Sequence, residues 1–269
     1  MRLWRAWLFV GLAAGASVLA QTSDRDDEAA RSFWQGRAHF LQDGSLHDDA
    51  IENAWPALQR LHRDALRATV VYLHGCDGIN TLSVKAADLL AAAGYLVLLP
   101  DSFARRDKPR SCDPLAHRGG LHREVLGWRH AEADLALRQA ATLPAVDPRR
   151  IFLMGLSEGA IATATYVGQG LTGRVIEGWT CHAGWPEYQG LRAPAGEAVL
   201  SLLGQNDPWF TAPALRGDCG AFMGSASPRR RSLVFRPPHP AASQHDLLWN
   251  VDARRALFDF LDAALATQP

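Results

Sequence analysis

Two kinds of apolar pattern alternate between residues 68 and 235. Short, near-continuous apolar runs stand at 69–73 (Thr69, Val70, Val71, Tyr72, Leu73), 95–99, 151–154, 175–180, 198–203 and 232–235. Between them the apolar positions recur at helical spacing. Leu82, Ala86, Leu89, Leu90 and Ala93 mark a helix over 81–93, stopped by Gly94. Further helices are expected at about 121–143, directly after residue 157, and at 251–266. A strand whose every position is apolar is buried on both faces, so this alternation predicts a mostly parallel central sheet with helices on both faces, an α/β fold. Reactive groups in such sheets collect beyond the carboxyl ends of the strands. The loops that follow the runs all leave at that end.

The first 67 residues read differently. Arg2 and Arg5 precede an apolar stretch over 6–19, and Val18-Leu19-Ala20 ends it with a small residue. That is the pattern of a signal peptide over 1–20, with a mature chain from Gln21 and a periplasmic or secreted destination. The alternative is an uncleaved anchor, for which the stretch is short. Residues 21–67 read as a lead-in segment packed on a domain that spans 68–269. Within it a helix is expected over 28–41, with Phe33, Trp34 and Phe40 as its apolar side, and a second segment over 46–62 near Pro56.

Composition narrows the picture without changing it. The chain has 269 residues, 48% hydrophobic and 21% charged, enough for one full core. Its formal net charge is zero, which gives no reason to expect a nucleic-acid partner. Four cysteines, Cys76, Cys112, Cys181 and Cys219, have no zinc-ligand spacing. In an exported chain they make disulfides plausible, and three pairings exist.

The candidate chemistry centres on 150–166. An apolar run (Ile151 to Met154) leads into Gly155-Leu156-Ser157-Glu158-Gly159 and then into small helix-compatible residues. Strand, sharp turn and helix with a serine at the apex make a nucleophile elbow. The two glycines have a mechanical reason: a Cβ at either would collide with the neighbouring strand or helix. A nucleophilic serine needs a base, and the base needs an orienting acid, in the chain order serine, acid, histidine. Asp207 directly follows the apolar run 198–203 and is the candidate acid; Asp218 is a weaker one. His245 is the candidate base, with His239 on the same loop as the alternative base. The oxyanion hole is expected from the backbone N–H of Glu158 and that of Cys76. The Glu158 side chain is expected to meet Arg105 or Arg106. Trp185 and Trp209 could line a pocket.

These residues resemble the dienelactone hydrolase family of α/β-hydrolases, more closely its exported branch. The resemblance rests on VVYLHGCDG (70–78), GYLVLLPDSFARR (94–106), RIFLMGLSEGA (150–160), LLGQNDPWF (202–210) and QHDLLW (244–249). It implies the α/β-hydrolase fold with an eight-stranded, mostly parallel sheet. It also implies ester or lactone hydrolysis, with Ser157 as nucleophile, Asp207 as acid and His245 as base, and no metal or cofactor. Well-known cytosolic members carry cysteine where this chain has Ser157. The loops of the resemblance also imply the pairings Cys76–Cys112 and Cys181–Cys219. The leading expectation is therefore an exported serine hydrolase acting on a small-molecule ester or lactone. The alternatives are acyl transfer or peptidase action on the same three residues, and a catalytically silent fold used for binding.

Overall fold

The computed structural model describes residues 26–108, 110–224 and 227–267. The expected signal peptide lies outside the described residues. A helix over 26–35, here α1, opens the described chain. There follow β1 (Arg37–Gln42), β2 (Ser45–Ala50), α2 (Ile51–Leu58), β3 (Ala68–Leu73), α3 (Thr81–Ala92), β4 (Tyr95–Leu99) and α4 (Val125–Ala140). The second half holds β5 (Ile151–Leu156), α5 (Glu158–Thr165), β6 (Gly173–Glu177), β7 (Ala198–Gly204), β8 (Arg230–Phe235) and α6 (Val251–Ala266).

All eight strands form one sheet in the order β2-β1-β4-β3-β5-β6-β7-β8. β1 pairs antiparallel with both β2 and β4, and every other pair is parallel. The central strands are buried along their whole length. Their side chains alternate between two cores. Val71, Leu73 and Leu153 face one core with residues of α1, α2, α4 and α5. Val70, Tyr72, Phe152 and Met154 face the other, beneath α3 and α6. Burial on both sides is what turns these strands into continuous apolar runs in the sequence.

The lead-in segment departs from expectation. The helix read over 28–41 ends at residue 35, and 37–42 is strand β1, carrying Phe40 with it. The second segment, expected over 46–62, divides: its start lies in strand β2, and Pro56 falls inside helix α2. Asp43 and Gly44 both take positive φ, 52° and 77°, as a two-residue hairpin turn requires. β2 is the sheet edge and its side chains are exposed and mostly polar, which discourages further strand pairing. The buried His39 of β1 donates from Nδ1 to Asp88 of α3 at 2.8 Å, tying the hairpin to the helix layer.

The elbow is the tightest part of the fold. A Cβ at Gly159 would lie 2.0 Å from the Leu73 carbonyl oxygen, and one at Gly155 would lie 2.2 Å from that of Gly159. Strands β3 and β5 and helix α5 therefore touch backbone to backbone, as expected of both glycines. At the far end of α5, the buried Arg174 donates to the carbonyls of Thr163 and Tyr166, which the short helix leaves without partners, and pairs with Glu197. No helix among the described residues is long and apolar enough to cross a membrane.

Candidate active site

Ser157 stands between the last residue of β5 and the first of α5, with φ 57° and ψ −116°. Few non-glycine residues adopt this region, and holding one there costs on the order of 1–3 kcal/mol. Two backbone hydrogen bonds hold it. The Ser157 N–H donates to the Glu177 carbonyl at 2.9 Å, and its own carbonyl accepts from Ile161 N–H at 3.0 Å. The loop after β3 runs alongside, at a spacing where a Cβ at Gly75 would meet that of Ser157 at an ordinary contact distance of 3.5 Å.

Asp207 follows β7 and is 4% exposed. Its Oδ2 lies 2.7 Å from Nδ1 of His245, and its Oδ1 accepts from Trp209 N–H at 3.0 Å. A carboxylate only accepts, so Nδ1 carries the proton and the Nε2 lone pair is free. That Nε2 is buried with no hydrogen-bond partner among the described residues. The His245 ring stacks on Trp209 at 5.2 Å and 26°. Its loop comes so near β6 that a Cβ at Gly178 (φ +65°) would lie 2.8 Å from the His245 carbonyl. Ser157 and His245 line one cavity of about 310 Å³, together with Cys76 and Glu158.

The structure separates the two histidines. His239 pairs through Nε2 with Asp252 of α6 at 3.1 Å and accepts from Ala241 N–H through Nδ1. Asp218 caps a turn through Gly220 N–H and accepts from Ser232. Neither joins Ser157 in the cavity lining, whereas Trp185 and Trp209 both do, as expected.

Glu158 differs from expectation. Arg105 pairs with the buried Glu132, and Arg106 with Glu28. Glu158 is instead buried against Ser111, whose hydroxyl donates to it. Burial raises its pKa above the ordinary carboxyl value, against the opposing pull of the Arg129 charge and the Ser111 hydrogen bond.

Three residues that the sequence reading passed over organise the backbone here. His74 is fully buried, and its Nε2 accepts from Ser102 N–H at 3.1 Å and from Arg129 at 2.9 Å. Two donors on Nε2 place the proton on Nδ1, which donates to the Gly75 carbonyl at 2.6 Å. Burial, and then the Arg129 charge, hold the pKa of His74 well below that of a free imidazole, so the ring is neutral. The carbonyl and N–H of a trans peptide point in opposite directions. Fixing the Gly75 carbonyl therefore fixes the Cys76 N–H on the other side of the same peptide. The third residue, Glu177, accepts through its side chain from Leu247 and Leu248 N–H, just beyond His245, while its backbone holds Ser157.

Two disulfides hold the loops that wall the cavity. Cys76–Cys112 ties the loop after β3 to the segment leading to Gly119 and Gly120. Cys181–Cys219 ties the loop carrying Trp185 and Tyr188 to the one that follows Leu215. These are the pairings that the resemblance implied, and no free cysteine remains among the described residues. Disulfides of this kind suit an oxidising compartment.

The Dienelactone hydrolase family model matches residues 59–218, more than half of the chain, including Ser157 and Asp207 and ending before His245. Solved structures share the fold. A Klebsiella pneumoniae protein assigned as a dienelactone hydrolase aligns with TM-score 0.54 at 15% identity, over 84% of this chain and 97% of its own. The thermophilic carboxylesterase EstE1, from a metagenomic library, gives 0.52 at 15% identity over 97% of this chain and all (100%) of its own. The dienelactone hydrolase-like promiscuous phosphotriesterase P91, also metagenomic, gives 0.52 at 19% identity over 74% of this chain and 86% of its own. No curated protein matches the sequence.

Proposed function

This chain belongs to the dienelactone hydrolase family of α/β-hydrolases, and from that premise we propose that it is an exported serine hydrolase that cleaves a small ester or lactone through an acyl-enzyme on Ser157. The observation that carries the reading is the pairing of His245 Nδ1 with the buried Asp207, which leaves a free Nε2 in the cavity that Ser157 lines.

In this mechanism His245 Nε2 takes the Ser157 hydroxyl proton as Oγ attacks the carbonyl carbon. Asp207 holds the imidazole in the required tautomer and stabilises the imidazolium. The developing oxyanion accepts from the N–H groups of Cys76 and Glu158; one such donor is worth about 3 kcal/mol in the transition state. As the tetrahedral species collapses, the leaving alkoxide takes the proton from His245. Water then repeats the sequence on the acyl-enzyme, and His245 returns the proton to Ser157 Oγ as the acid leaves. A lactone differs only in that its alcohol stays tethered to the acyl group. Export rests on the apolar segment over 6–19 and on the two disulfides.

Hydrolysis of p-nitrophenyl acetate by the purified protein tests the reading. Ser157→Ala and His245→Ala should each lose turnover by about 10⁶-fold, while His239→Ala keeps it. Turnover that survives in His245→Ala and vanishes in His239→Ala would reassign the base. Equal turnover in Ser157→Ala would remove the nucleophile.

A further inference from the structure

Three successive residues of the loop between β4 and α4 fasten onto the catalytic loops. Arg110 pairs with Asp77 at 3.2 Å, the Ser111 hydroxyl donates to the Glu158 carboxyl, and Cys112 is bridged to Cys76. In the serine-hydrolase reading, Cys76 and Glu158 are the residues whose N–H groups meet the oxyanion. Resting on that reading, we propose that the dipeptide Ser111-Cys112 is a clamp that sets the spacing between the two oxyanion donors, which makes Ser111 and Cys112 positioning residues for the reaction.

The two donors sit on different elements. Glu158 is the first residue of α5, and Cys76 lies on the loop after β3. The contact at Gly159 sets β3 against α5 at Leu73 and His74. Cys76 lies two residues beyond His74. There the Gly78 N–H donates to the Gly75 carbonyl at 3.3 Å, a bond that shapes the turn but does not reach α5. Residues 111 and 112 supply the link. Their Cα atoms stand about 3.8 Å apart across one peptide, and each holds the side chain of one donor residue. The tie to Cys76 is covalent, with 5.9 Å between the two Cα atoms. The tie to Glu158 is a hydrogen bond to a carboxyl that is 9% exposed, where a polar group left without a partner is costly.

A clamp has to be stiff. Ser111 and Cys112 are both buried. The Ser111 carbonyl accepts from Leu121 N–H at 2.9 Å, and Asp113 and Arg118 exchange backbone hydrogen bonds at 2.8 and 3.1 Å. The segment 111–121 therefore closes on itself directly beside the dipeptide. The Arg110–Asp77 pair is exposed and adds little to this.

Deleting one oxyanion donor costs about 10²- to 10³-fold in kcat, because the donor must stand about 3 Å from the oxygen as charge develops on it. A donor that drifts from that position keeps only part of its worth. Neither Ser111 nor Cys112 is among the residues that line the cavity, whereas Cys76 and Glu158 both are. The clamp therefore acts on kcat through the placement of the donors and not through contact with the bound substrate.

The test compares Ser111→Ala and Cys76→Ser/Cys112→Ser with the parent on p-nitrophenyl acetate, with active enzyme counted by fluorophosphonate labelling of Ser157. Per labelled chain, kcat should fall about 10-fold in Ser111→Ala and about 100-fold in Cys76→Ser/Cys112→Ser, with KM within about 3-fold of the parent. Inhibition by phenyl trifluoromethyl ketone, whose adduct with Ser157 carries the same oxyanion, should weaken by the factor lost from kcat/KM. A merely structural role would lower the number of labelled chains and leave kcat per labelled chain and the ketone affinity unchanged; that result overturns the clamp. A fall in kcat with unchanged ketone affinity overturns it as well. Ser111→Ala keeps both disulfides, so its result alone decides the proposal should Cys76→Ser/Cys112→Ser fail to fold. In each of these cases a parent that hydrolyses the acetate and is labelled at Ser157 leaves the serine-hydrolase reading standing. A parent that is neither active nor labelled overturns both.

Discussion

Glu177→Gln isolates a charge that the fold keeps suppressed. Glu177 is 2% exposed at the end of β6. Its carboxyl accepts from Leu247 N–H at 2.7 Å and Leu248 N–H at 3.0 Å. Burial pushes its pKa from an ordinary 4.5 up to about 8, and the neighbouring Asp246 adds to the rise against the pull of those two N–H groups. Below pH 4.5 the folded and unfolded chains both hold the proton, and the group costs nothing. Between pH 4.5 and 8 the folded state keeps a proton that the unfolded state releases, so stability falls as pH rises. Each unit costs about 1.4 kcal/mol, and the full span about 5 kcal/mol. Glutamine keeps an oxygen for both N–H donors and cannot ionise. The stability difference between variant and parent, from urea unfolding with disulfides intact, should be flat below pH 4.5. It should then grow in the variant's favour by roughly 1.4 kcal/mol per unit and level off above pH 8. Other buried carboxyls, such as Glu158 and Glu197, shift both proteins alike and cancel in the difference. A difference that stays constant from pH 4.5 to 8.5 would refute the reasoning.

Further expectations concern the backbone around Ser157. His74→Leu removes the donor that fixes the Gly75 carbonyl and should lower kcat by about 10- to 100-fold, up to the worth of one oxyanion donor. Because His74 is neutral, the pH profile should keep its shape; a lost titration in that profile would contradict this role. Gly159→Ala forces a Cβ to 2.0 Å from the Leu73 carbonyl and should destabilise the fold by about 3 kcal/mol or more in denaturant unfolding; a change below 1 kcal/mol would show that α5 can slide. The disulfides close loops of 36 and 38 residues, so losing either one should cost about 4 kcal/mol. Unchanged unfolding midpoints of Cys181→Ser/Cys219→Ser would show that the bridge does not restrain the unfolded chain.

What could be read in advance follows from where information sits in the chain. The central strands announce themselves because both faces are buried, and the elbow because its glycines, serine and flanking patterns are contiguous. The β1–β2 hairpin escaped because its edge strand is polar and its apolar positions also suit a helix; the Asp43-Gly44 pair was the overlooked signal. The histidine choice stayed open because His239 and His245 share one loop. Only the distant Asp252 and Asp207 tell their environments apart. His74, Arg129 and Glu177 went unremarked for the same reason. His74 meets Arg129 across 55 residues, and Glu177 meets Leu247 across 70, and such pairings leave no local pattern. Arg105 or Arg106 was expected to meet Glu158, whereas Arg105 pairs with Glu132 and Arg106 with Glu28, partners 27 and 78 residues away.

The central claim is that Ser157 is a nucleophile activated by His245. Its most direct test is peptide mapping after reaction with a fluorophosphonate, on the parent, His245→Ala and His239→Ala. The account predicts one modification per chain, on Ser157, at a similar rate in His239→Ala and slowed by orders of magnitude in His245→Ala. An unmodified Ser157 in a protein that still hydrolyses esters, or labelling undiminished in His245→Ala, would contradict it.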